Sequence, residues 1–117
     1  MRGRIHADYR SLDEARRDFK QASKLALVAK LPKIAAMASY EAAKVLKRTP
    51  RFAQADLLTL LMAAVKADAS YAPPHRDLCT MLHQTEPKRA KKHCKAYLNA
   101  APKGLYAAEV RELLRNL

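Results

Sequence analysis

The sequence predicts an all-helical chain built from short antiparallel helix hairpins. Only two glycines occur in 117 residues, while alanine, leucine, lysine and arginine, all good helix formers, are abundant. Apolar residues recur at three- and four-residue spacing in segment after segment. Proline-bearing turn signals punctuate them at Leu31-Pro32, Thr49-Pro50, Tyr71-Ala72-Pro73-Pro74, Thr85-Glu86-Pro87 and Pro102. Half of the residues are apolar, which argues for a packed core and against global disorder. The length suits one domain with a modest core. The expected bounds are a flexible N-terminal segment at 1–10 and a helical domain at 11–117.

Taken in order, Ser11-Leu12-Asp13-Glu14 reads as a helix start. It offers a serine cap, acidic residues in the first turn and Glu14 placed for a capping box. The helix carries Leu12, Ala15, Phe19, Ala22, Leu25 and Val28 on one face and ends at Leu31-Pro32, because a residue before proline avoids helical geometry. Lys33 to Arg48 forms the next helix, where Ala35, Ala36, Ala38, Ala42 and Ala43 let neighbours approach closely. After Thr49-Pro50 a third helix opens at Arg51 and runs to about Ala67 through Leu57, Leu58, Leu60, Leu61 and Val65. Being apolar on most faces, it is expected to be the most buried element.

Residues 67–102 form the clearest unit. Pro73 and Pro74 stand in the first turn of a helix, where amides have no intrahelical acceptor to lose. Leu78, Cys79 and Leu82 share one of its faces, and Ala90, Cys94, Tyr97 and Leu98 form the stripe of the helix that follows. Two helices this short cannot bury both faces alone, so similar pairs are expected to stack on either side. Lys103-Gly104 then turns the chain into a last helix with Tyr106, Val110, Leu113, Leu114 and Leu117 inward and Glu109, Arg111, Glu112 and Arg115 outward, a solvating cap.

The central pair resembles the tetratricopeptide repeats. His75 stands at the early bulky position of the first helix, and Leu78-Cys79 and Leu82 fill the next three. Ala90 is the small residue of the second helix and Pro102 the closing proline. Cys94 and Tyr97 depart from the usual aromatic and alanine, and the turn at Thr85-Glu86 is short and lacks glycine. Ala42-Ala43, Leu46, Phe52 and Ala55 follow the pattern in the preceding unit; Ala15, Phe19 and Ala22 fit either half a repeat or a plain amphipathic cap. The resemblance implies a right-handed α-solenoid of about six helices, or about two and a half repeats. It also places Cys79 and Cys94 on facing inner surfaces, so an oxidised sample is expected to form a disulfide there.

Twenty-three lysines and arginines against eleven carboxylates give a formal charge of +12, which points to acidic partners. Two cysteines are too few for a disulfide framework, and no signal peptide is visible, so a reducing cytoplasm is the default. The longest apolar run, Leu57 to Val65, is far short of a span of roughly twenty residues, and no membrane insertion is expected. Catalysis is not expected either. Glycine-rich phosphate loops, nucleophile elbows and paired histidine–glutamate zinc motifs are all missing.

His75, Cys79 and His83 fall at i, i+4 and i+8, with His93 and Cys94 further on, and imidazole and thiolate are zinc's preferred ligands. Eight residues of helix span about 12 Å of rise, too far for both histidines to share one ion. Cys79 and Cys94 read better as small buried hydrophobes, and neither metal nor cofactor is expected. Lys88, Arg89, Lys91, Lys92 and Lys95 make a basic patch. Nucleic-acid binding is the second choice there, because no aromatic is interleaved as a stacking platform.

Tetratricopeptide arrays bind partner segments in a groove lined by the first helix of each unit. Carried onto this chain, the resemblance implies a groove of Tyr40, Lys44, Lys47, Arg48, Arg76, Asp77, Thr80, His83 and Gln84. Such a basic groove favours an acidic peptide or a free carboxylate. Tyr40 and Lys44 stand where some members carry a carboxylate-clamping pair, and that clamp is not expected here. The whole reads as a non-catalytic protein-binding module, with two alternatives. One is a basic nucleic-acid-associated protein; the other is a tail or chaperone fragment of a larger signalling or secretion system. Exposed ends of the array would favour homodimers.

Overall fold

The computed structural model describes residues 2–117, with side chains from Leu12 onward. Among the described residues there are six helices and no strand: α1 (Arg2–Val28), α2 (Pro32–Lys47), α3 (Gln54–Ala67), α4 (Ala72–Leu82), α5 (Pro87–Ala100) and α6 (Ala107–Arg115). The chain forms two compact units, one ending at Asp68 and the other being Ala69–Leu117. Helix α1 already begins at Arg2, inside the segment expected to be flexible. No proline lies between Arg4 and Ser11, so Ser11 falls within the helix rather than at its cap.

In the first unit α2 is the central element, with α1 and α3 packed against it. It buries Ala35, Ala36, Ala38, Ser39, Ala42, Ala43, Val45 and Leu46. Helix α3 buries only Leu57, Leu60, Leu61 and Ala64, so α2, not α3, is the more buried, contrary to expectation. Small side chains explain this, because they bring both neighbours against α2 at close range. Ser23 replaces the expected Ala22 and Leu25 at the α1–α2 contact. Its hydroxyl donates to the Ala35 carbonyl at 2.9 Å. Since that uses its one hydrogen, Ser39 donates to Ser23 Oγ across 2.7 Å. Ser23 and Ala26 are buried while Leu25 and Val28 face outward.

The turn between α1 and α2 is a Schellman motif. The Lys30 amide donates to Leu27 O at 3.1 Å and the Leu31 amide to Ala26 O at 2.7 Å. Lys30 holds φ at 59°, a left-handed position usually given to glycine. Arg51, at φ 54°, is a second left-handed position, in the loop between α2 and α3.

In the second unit α4 and α5 fold back on each other, and α6 packs against both. Prolines start both helices of the pair, as the sequence predicts. Cys79 and Cys94 are joined by a disulfide and have Cα atoms 5.0 Å apart, as expected from the resemblance for an oxidised chain. Around the bridge lie Tyr97, Ala107 and Val110, with Leu98, Leu113, Leu114 and Leu117 half-buried beside them. The Tyr97 hydroxyl accepts the Tyr106 amide at 3.1 Å, tying α5 to the start of α6. Gly104 occupies the bend between them. A β-carbon there would stand 2.6 Å from Tyr97 Oη and 2.9 Å from Ala101 Cβ. Close approach, not a left-handed backbone, is what requires glycine at this place.

Candidate functional site

Helix α5 sorts its side chains onto opposite faces. Ala90, His93, Cys94 and Tyr97 are buried. Lys88, Lys91, Lys92 and Lys95 are exposed and recur at i, i+3, i+4 and i+7, one stripe of a 3.6-residue helix. The stripe is about 10 Å long at 1.5 Å per residue. No carboxylate lies within α5, and among the described residues none lies within ion-pair reach of these four lysines. Arg89, on the flank, is held by Glu86 at 2.9 Å.

The groove residues fare differently. In the first unit Tyr40 and Lys44 come together, the ammonium 5.6 Å from the ring centroid, while Lys44 also pairs with Glu41 at 2.9 Å. Lys47 and Arg48 are exposed at the end of α2. In the second unit Arg76 is engaged internally. Its guanidinium lies 4.1 Å from the Tyr106 ring centroid and donates to both Glu109 oxygens, at 2.9 and 3.1 Å. Asp77 is buried, with Arg76 3.5 Å away, and so is not presented to a ligand. Thr80 is exposed, its hydroxyl donating back to the Arg76 carbonyl at 3.0 Å. His83 is half-buried and Gln84 exposed.

The spacing of His75 and His93 gave no hint that their rings meet. The Nδ1 atoms stand 3.0 Å apart and both side chains are buried. His75 Nε2 donates to the Ala69 carbonyl at 2.7 Å. A neutral His75 therefore presents Nδ1 as an acceptor, and His93 donates to it through Nδ1–H. Burial lowers both imidazoles, the Ala69 bond opposing it at His75. His93 is lowered to about 4, by burial first and then by the charges of His75, Arg89 and Lys92. Among the described residues no group of three histidine, cysteine or acidic side chains is placed to hold a metal ion. No helix among them is long and apolar enough to cross a membrane. No family model, no curated protein and no solved structure matches this chain.

Proposed function

We propose that the chain is a non-catalytic protein-binding module of tetratricopeptide-like helix hairpins that recruits an acidic segment of a partner. What supports this most is the unpaired lysine stripe of Lys88, Lys91, Lys92 and Lys95 on a helix without carboxylates. An acidic helix with carboxylates one turn apart matches its spacing. Long-range attraction steers the encounter, and the exposed pairs add modestly to affinity. Lys47 and Arg48 on α2 offer a second basic surface, in the other unit. In the original groove set, Arg76 and Asp77 are already engaged with each other and Glu109, which moves the weight of the site to α5.

Nucleic acid is the rival ligand for the same stripe. The one aromatic of α5, Tyr97, is buried and hydrogen-bonded to Tyr106, which leaves α5 no exposed ring for stacking a base. The Cys79–Cys94 bridge fits an oxidising compartment better than the reducing cytoplasm expected from composition.

Fluorescence anisotropy with a labelled glutamate-rich helical peptide and with an oligonucleotide of equal charge tests this reading. The peptide is expected to bind at low salt and to lose about tenfold in affinity when all four lysines become glutamine. Tighter binding of the oligonucleotide through the same lysines would transfer the site to nucleic acid. Indifference of both ligands to the four substitutions would remove it.

A further inference from the structure

The α1–α2 turn displays large apolar side chains to solvent. Val28 is 83% exposed, Leu25 60%, Ile34 53% and Leu31 46%. These positions lie within about two helical turns of the loop, given 1.5 Å of rise per residue. Along the chain the charge beside them has one sign. Between Asp18 and Glu41 there is no carboxylate, and Lys24, Lys30 and Lys33 are exposed within the same stretch. Lys30 occupies the left-handed position of the turn, so a cation sits at the tip where glycine would be the cheaper residue.

We propose that this turn docks peripherally on an anionic lipid bilayer. The apolar side chains would enter the boundary between headgroups and acyl chains, and the lysines would remain at the level of the phosphates. Each lysine near such a surface contributes roughly a fivefold gain in partition. The end of a helical hairpin is convex, a shape a fluid interface accepts and a folded partner must match with a cavity. A second copy fits poorly, because self-association would bring lysine-ringed tips together. No helix has to cross the bilayer, and among the described residues none is long and apolar enough to do so.

The test is flotation of the full chain with vesicles of phosphatidylcholine alone and of phosphatidylcholine with phosphatidylserine. Binding is expected only with the anionic lipid and at low salt. Val28→Glu should weaken it about tenfold, and separately the joint change of Lys24, Lys30 and Lys33 to glutamine should weaken it on the order of a hundredfold. Changing Lys88, Lys91, Lys92 and Lys95 to glutamine should leave most of it, which separates this surface from the α5 stripe. Because the chain contains no tryptophan, Val28→Trp provides a depth probe whose emission should shift blue and be quenched by brominated lipid. Thermal melts of each variant by circular dichroism should match the parent, as exposed positions allow. Absence of flotation, flotation unchanged by Val28→Glu, or loss only with the α5 variant would overturn the assignment. So would a soluble dimer abolished by Val28→Glu, or binding of a soluble acidic protein at the tip in place of vesicles.

Discussion

The Nδ1 atoms of His75 and His93 meet at 3.0 Å between α4 and α5, one donating to the other, with His75 anchored to the Ala69 carbonyl. The bond breaks when His75 takes a proton at Nδ1, which sets two donors face to face, whereas a proton on His93 goes to Nε2, leaves the bond intact and is opposed by burial. Around it stand Arg89 and Lys92, which add positive charge.

Acid should therefore loosen the second unit. His93 has an ordinary value of 6.5 when unfolded and about 4 when folded. Between these limits the unfolded chain binds the extra proton, so stability is full above pH about 6.5 and falls as the pH drops toward 4. The loss should be on the order of 1–3 kcal/mol at about 1.4 kcal/mol per unit. Urea unfolding at a series of pH values measures it, and His93→Gln should flatten the profile across that window. Superimposable profiles would show that the pair does not govern acid stability.

The Cys79–Cys94 bridge closes a loop of sequence separation 15. Replacing both cysteines by alanine should cost about 2–4 kcal/mol, read from chemical denaturation of the second unit. Thiol titration of the unreduced protein should find no free thiol, folded or unfolded. Two titratable thiols there would mean that the bridge is not formed.

Gly104→Ala forces a methyl group toward Tyr97 Oη and Ala101 Cβ and should destabilise by about 1–3 kcal/mol. Tyr97→Phe removes one of the colliding atoms but also the acceptor of the Tyr106 amide. The double variant should accordingly cost less than the sum of the singles. Strict additivity in the cycle would show that the two residues do not touch.

Ser23→Ala leaves the Ser39 hydroxyl buried without the acceptor it has at 2.7 Å. The expected cost is about 1–2 kcal/mol, and Ser39→Ala on the same chain should recover part of it. Thermal unfolding of the four proteins of the cycle decides the matter.

At the α1–α2 turn, Lys30→Gly should stabilise by about 0.5–1 kcal/mol, because glycine takes the left-handed backbone at no steric cost. A lower melting temperature for this variant would mean that Lys30 makes a contact worth more than its backbone strain.

Much of the helical plan was legible in the sequence because proline marks it. Pro32 and Pro87 stand at the first position of α2 and α5, and Pro73 and Pro74 in the first turn of α4. The lysine stripe of α5 was legible for a similar reason, since spacing along one helix is a local property. Less local facts were hidden. Arg76 is engaged by Glu109, 33 residues away, and no pattern near either residue announces the other. The inward face of α1 was misassigned because hydrophobicity pointed to Ala22 and Leu25. The contact with α2 instead uses Ser23, a small residue that the polar hydroxyl disguises. The His75–His93 pair escaped notice because the two lie 18 positions apart on different helices, while the spacing along one helix pairs His75 with Cys79 and His83 instead.

A covalent tie inside the α4–α5 pair has a consequence for the outer face of α5. Cys94 lies between Lys92 and Lys95 in the chain, so the backbone that spaces these two cations is pinned to its neighbour whether or not a ligand is present. An acidic helix of the kind proposed as partner would have only lysine rotamers left to organise. Preorganisation of this kind slows departure more than it hastens arrival, and complexes formed here should be long-lived for their modest charge.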